Sequence, residues 1–129
     1  MSIINLHSKV QKRVGSALSV HGFGLSEYLV LHQLFIAPGQ KMRRVDLAEQ
    51  VGLSPSGITR LLNPMAKIGL IEKEANPRDA RVSLVTPSIA GKRVYQEAKI
   101  SFQYASTALF EALESKQLGR FSELVKIVA

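Results

Sequence analysis

The sequence predicts a mainly α-helical domain with one small β-hairpin, and three observations predict it. Of the 129 residues, 46% are apolar but only 6% aromatic, with no Trp, so a core must be built from Leu, Ile, Val and Ala. That composition suits helices better than a β-sandwich. Apolar residues recur at helical spacing along most of the chain. The exception is a stretch near residues 70–86, where two short β-favouring runs flank a polar turn.

The elements follow in order. Ile3, Leu6, Val10, Val14 and Leu18 lie on one face of a helix over residues 2–20. His21-Gly22-Phe23-Gly24 stops it, and Ser26 offers an N-cap for a second, largely apolar and buried helix running to about Ala37. Pro38-Gly39 ends that helix. A short helix, roughly Arg44 to Val51, leads into Gly52-Leu53. Ser54 is then an N-cap, with Pro55 at the first helical position, where its missing N–H costs nothing. The fourth helix reaches about Ile68, and Gly69 closes it. Leu70–Glu74 and Val82–Thr86 read as strands joined by the charged tip Ala75–Arg81. Past Pro87 a long helix, capped by Thr86 or Ser88, continues to about Glu114. A last helix, Ser115 to about Val128, gathers Leu118, Phe121, Val125 and Val128 on one face. With no linker or internal repeat, residues 1–129 are expected to form one domain.

The chemistry concentrates in Arg44 to Asn63. Two helices crossing steeply need a small residue at the contact, and Ala48 supplies it. Four positions later Gly52 can take the positive φ of a tight turn, and six further on Ile58 anchors the second helix. This is helix-turn-helix spacing, with Leu47, Val51, Leu53, Leu61 and Leu62 completing a small core. On the second helix Ile58, Leu61, Leu62 and Met65 face inward, whereas Ser56, Thr59, Arg60, Asn63 and Lys67 fall on the other side. Arg and Asn are the better readers of guanine and adenine edges in a major groove. An excess of 17 Lys and Arg over 10 Asp and Glu, net +7, adds attraction for a polyanion.

The segments LSEYLVLHQL, LSPSGITRLLNPMAKIGLIEK and NPRDARVSLVTPSIAGK resemble the MarR family of winged helix-turn-helix regulators, from about Leu6 to the C-terminus. The last segment has the family's Asp-x-Arg as Asp79 and Arg81, and its glycine at the start of the following helix as Gly91. The resemblance implies a homodimeric, cytoplasmic, ligand-responsive regulator, typically a repressor, on a pseudo-palindromic operator in double-stranded DNA. It implies a helix-turn-helix over about 44–68, a wing over about 70–86, and dimerisation helices over about 2–20 and 88–128. Arg44, Ser54, Ser56, Gly57, Thr59, Arg60, Asn63 and Lys67 would meet DNA from the helix-turn-helix. Arg81 would be the minor-groove arginine, Asp79 the carboxylate holding it, and Arg78 a second candidate at the tip. Tyr28, His32, Phe35 and Phe102 either line a pocket for a small aromatic or anionic effector or form plain core. A winged-helix module for protein or RNA contact is the alternative reading.

Three departures from the family pattern stand out. Pro64 removes an N–H inside the fourth helix, at a typical cost of roughly 3 kcal/mol, so a kink or early end near Asn63 is expected and the place of Lys67 is open. Pro87-Ser88 replaces the usual Leu-Thr. The chain is slightly short at both ends, which predicts a smaller dimer interface. Tyr95, Ala98, Phe102, Ala105, Leu109 and Ala112 nevertheless form a heptad-like seam suited to a partner helix or to packing within the chain.

Other functions find little support. Without cysteine there are no disulfides, thiolate nucleophiles or cysteine-ligated zinc sites. His7, His21 and His32 lack ligand spacing, Gly22-Phe23-Gly24 is not a phosphate loop, and Ser56-Gly57 is not a nucleophile elbow. No catalytic constellation, cofactor or metal is expected. No signal peptide or membrane span is expected either, because the charges at Lys9, Lys12 and Arg13 interrupt the N-terminal apolar pattern.

Overall fold

The computed structural model describes residues 2–79, 83–111 and 115–128. Its elements are α1 (Ser2–Ser19), α2 (Leu25–Ile36), a 3-10 turn (Pro38–Gln40), β1 (Met42–Arg43), α3 (Arg44–Val51), α4 (Pro55–Lys67), β2 (Ile71–Ala75), β3 (Ser83–Pro87), α5 (Ile89–Leu109) and α6 (Ser115–Val128). A mainly helical chain with a small antiparallel sheet is what the composition predicts, and the bounds agree within a few residues. The long helix ends at Leu109 rather than near Glu114, which lies outside the described residues.

The local signals that act through backbone chemistry hold. Gly52 adopts φ +73 as the C-cap of α3, and Leu53 N–H closes back to the Ala48 carbonyl at 2.9 Å, the bond that reverses the chain. Ser54 Oγ accepts from Gly57 N–H at 3.0 Å and caps α4. Of the two candidates for the α5 cap it is Ser88 whose Oγ accepts from Gly91 N–H, at 2.9 Å. At α2, however, Gly24 and not Ser26 occupies the N-cap, and Glu27 Oε2 reaches back to accept from Gly24 N–H at 3.2 Å. The carboxylate one turn in supplies the reciprocal half of a capping box, the bond to the N-cap N–H, while glycine has no hydroxyl to meet the N–H groups of the first turn.

Pro64 does not end α4. The helix runs unbroken to Lys67, and Ile68 N–H bonds the Pro64 carbonyl at 3.0 Å. Pro64 is exposed, so water can meet the carbonyl of Arg60 that lost its donor, while buried Leu62 and Met65 on either side hold the helix to the core.

The sheet has three strands, not the two of a lone hairpin. β1 pairs with β3 through Met42↔Val85 and Arg43↔Leu84, and β2 pairs with β3 from Ile71↔Pro87 to Ala75↔Ser83, giving the order β1-β3-β2. A two-residue strand has no alternation to betray it; it exists because β3 offers an edge.

One core joins the layers: Leu18 from α1, Leu31 and Leu34 from α2, Leu47, Ile58, Leu62 and Met65 from the helix-turn-helix, Ile71 and Val85 from the sheet, and Tyr95 from α5. Val51 and Leu61 are half-buried at its margin, but Leu53, expected inside, lies at the surface. The heptad-like seam is filled within the chain. Tyr95 and Ala98 are buried, Phe102, Ala105 and Leu109 pack against the same core, and α5 lies chiefly along α1. Ala112 lies outside the described residues. The faces without cover are elsewhere: Ile4 on α1, Ile100 and Tyr104 on α5, and Leu124, Val125, Ile127 and Val128 on α6.

Candidate nucleic-acid interface

α4 has two chemically distinct sides. Ile58, Leu62 and Met65 are buried against α2 and the sheet, whereas Ser56, Arg60, Asn63 and Lys67 are exposed. No acidic residue lies between Pro55 and Lys67. The exposed side is therefore polar and basic, and α3 carries its N-terminus across the start of α4.

Several polar groups on this side already hold one another. Arg44, the first residue of α3, donates from Nη1 to Thr59 Oγ1 at 2.5 Å. Thr59 Oγ1 in turn donates to the Pro55 carbonyl at 3.0 Å. With its proton and one lone pair engaged, the Thr59 hydroxyl pins Arg44 to α4 and is less suited to read a base. Ser54 and Ser56 hydroxyls are 3.3 Å apart at the helix start. Gly57 leaves room there, since a Cβ would sit 3.1 Å from Ser54 Oγ.

The wing strands stand beside this face. Lys73 of β2 donates from Nζ to Asn63 Oδ1 at 2.8 Å, linking wing to helix. Lys41 pairs with Glu74 at 2.5 Å, and Arg43 grips Asp46 with two bonds of 2.8 and 3.0 Å, which keeps its guanidinium charged. At the tip Asn76 Oδ1 accepts from Arg78 N–H at 2.9 Å and its carbonyl accepts from Asp79 N–H at 3.2 Å, an Asx turn that projects Arg78 into solvent. Arg81 lies outside the described residues.

Sequence reading missed Lys73, Lys41 and Arg43. A signal for Lys73 was available: strand alternation puts it on the same side of β2 as buried Ile71, the side that meets α4.

The wing is set against the helical layer by one close contact. A Cβ on Gly91 would fall 2.0 Å from the Leu70 carbonyl oxygen, so only glycine lets α5 start there. Ser88 N–H bonds that same carbonyl at 3.0 Å and Ser88 Oγ donates to the Gly69 carbonyl at 2.5 Å. One junction thus ties together the end of α4, the end of β3 and the start of α5.

Tyr28, His32, Phe35 and Phe102 do come together, around Tyr95. Tyr28 stacks on Phe102 with ring centres 4.5 Å apart, and Phe35 lies 4.8 Å from Tyr95. His32 Nδ1 and Tyr95 OH share a 2.7 Å hydrogen bond. Burial lowers the His32 pKa, with Lys99 adding to the effect, and burial raises that of both tyrosines. The rings are packed on one another as core. Among the described residues no group of three or more His, Asp or Glu could hold a metal ion, and no helix is long and apolar enough to cross a membrane.

A polar helix led in by a tight glycine turn and flanked by an antiparallel wing defines the winged helix-turn-helix class. Residues 24–83 match the model of the MarR family. The chain is similar to YwhA, an uncharacterized HTH-type transcriptional regulator of Bacillus subtilis, at 29% identity over 65% of this chain and 60% of YwhA, so the match spans less than two thirds of that relative's length. Among solved structures it superposes on a mutant MarR from E. coli complexed with operator DNA, with a TM-score of 0.90, 20% identity, and 98% and 89% of the two chains covered. The PcaV transcriptional regulator from Streptomyces coelicolor, in complex with its natural ligand, gives a TM-score of 0.82 at 22% identity over 95% and 88%. The fold shared with these structures is the winged helix-turn-helix, and the part of this chain that resembles the MarR family is residues 24–83.

Proposed function

We propose that this chain is a sequence-specific DNA-binding transcription regulator, a ligand-responsive repressor and not an enzyme, which acts in the cytoplasm as a homodimer on a pseudo-palindromic operator. The observation that carries the reading is the exposed side of α4: polar, basic and without a carboxylate, on a chain of net charge +7. A module for protein contact would favour an acidic or apolar surface there. The operator-DNA complex formed by the E. coli relative supports the same partner.

In this reading residues 1–129 act as one domain. Arg60 and Asn63 meet base edges, Arg44 and Lys67 meet phosphates, and Ser54, Ser56, Gly57 and Thr59 shape the entry of α4 into the major groove. Arg78, Asp79 and Arg81 serve the minor groove from the wing. The uncovered apolar faces of α1 and α6 meet a second copy. An effector, small and aromatic or anionic, would wedge among Tyr28, His32, Phe35 and Phe102; the natural-ligand complex of PcaV supports such responsiveness.

Selection of bound sequences from a random duplex pool, followed by footprinting, tests the proposal. The expected result is two half-sites with centres about 10 bp apart. A failure to enrich any sequence, or one isolated half-site together with a monomer by sedimentation at micromolar concentration, refutes it.

A further inference from the structure

We infer that Lys73, on the wing strand, is a specificity-determining positioning residue that makes Asn63 a reader of guanine rather than adenine. The inference rests on the DNA-binding reading of α4. Lys73 sits at the centre of β2, opposite Val85, and its ammonium lies 2.8 Å from Asn63 Oδ1. An ammonium group only donates, so the carboxamide atom facing it must be the oxygen. The orientation of Asn63 is thereby settled by chemistry, and its NH2 is the end left for a ligand.

An asparagine free to turn pairs with adenine through both ends, its oxygen accepting from N6–H and its nitrogen donating to N7. Lys73 occupies the oxygen and sets a positive charge beside it, where an approaching N6–H2 donor is repelled. Guanine shows two acceptors, N7 and O6, which suit the Asn63 N–H donors and the nearby ammonium alike. The helix backbone cannot easily shift to escape this geometry, because α4 is anchored on both sides of Asn63 by buried Leu62 and Met65.

Random-pool selection with the full chain and three families of variant decides the matter, each variant first checked for an unaltered circular dichroism spectrum. Both residues are exposed, so folding should survive their replacement. Asn63→Ala marks the position, flattening preference at one site in each half. Wild type should select guanine there. Lys73→Met, which keeps the length and removes the donor, should raise the ratio of adenine to guanine at that position by roughly fivefold or more. Lys73→Arg should retain guanine. The inference is overturned if Lys73→Met weakens all sequences alike with the consensus unchanged, if wild type already selects adenine there, or if Asn63→Ala alters no position. If wild type enriches no sequence at all, the DNA-binding reading falls and this inference with it; a clear wild-type consensus with any of the other results removes only the role of Lys73.

Discussion

Replacing Gly91 with alanine tests the junction that holds the wing. The added Cβ would sit 2.0 Å from the Leu70 carbonyl oxygen, where real contacts are essentially never under 3.0 Å, so the start of α5 must retreat by about 1 Å. The same close fit carries Ser88 N–H on Leu70, Ser88 Oγ on Gly69 and Gly91 N–H on Ser88, with bonds of 3.0, 2.5 and 2.9 Å. Losing one of these costs about 1 kcal/mol, and the crowding itself about 1–3. Alanine returns at most about 1 kcal/mol through helix propensity. The net expectation is about 1–3 kcal/mol of destabilisation, a fall of roughly 3–15 °C in Tm for a chain of this length. Gly15→Ala is the control, because a Cβ there meets nothing within 4 Å inside α1, and it should stabilise by about 0.5–1 kcal/mol. Urea unfolding of the two variants reads both effects. If Gly91→Ala proved as stable as wild type, the close approach would be wrong and with it the account of how the wing is seated.

Three further outcomes follow from the proposed interface and the ring cluster. Arg60→Ala should cost about 1–3 kcal/mol of DNA affinity and relax preference at one position per half-site, whereas an even loss across sequences would assign Arg60 to the phosphates. Asp79→Ala should weaken binding although it removes a negative charge, because the carboxylate is proposed to orient Arg81; tighter binding in a salt series would end that idea. The His32 pKa is lowered in the fold, so the unfolded chain takes up the proton first as pH falls. Stability from this residue is therefore full above about pH 6.5 and declines below it. His32→Asn should flatten that acid-side slope in pH-dependent unfolding, and an unchanged slope would show that the ring is not shielded.

What was legible in the sequence is what local backbone chemistry decides. Gly52, Ser54 and Pro55 act on neighbours within four residues, so the turn of the helix-turn-helix and the entry of α4 could be read from spacing alone. Pro64 shows the limit of that logic. Its local cost is real, yet exposure of the ring and the burial of Leu62 and Met65 outweigh it. β1 escaped because two residues make no pattern, and the Gly24 cap because a glutamate can serve from inside the helix. Of the site residues, α4's polar side emerges from helical periodicity. Its internal commitments do not, since Arg44 to Thr59 spans 15 residues and Lys73 to Asn63 joins a strand to a helix.

The seam on α5 shows why periodicity names a buried stripe without naming what buries it. Tyr95, Ala98 and Phe102 satisfy a heptad as well as any coiled coil, yet the partners are α1 and α2 of the same chain. The consequence is mechanical. α2 touches α3, α4, β3 and α5, and it carries Tyr28 and His32 into the ring cluster on α5. Any molecule that entered between those rings would have to move α2 or α5, and α2 cannot move without disturbing the seats of α3 and α4. Close-packed interiors transmit such displacements rather than absorb them. A proposed effector at Tyr28 and His32 therefore needs no dedicated relay to reach the DNA-facing helix; the shared core is the connection, and a repacking of Tyr28 that left DNA affinity unaltered would break it.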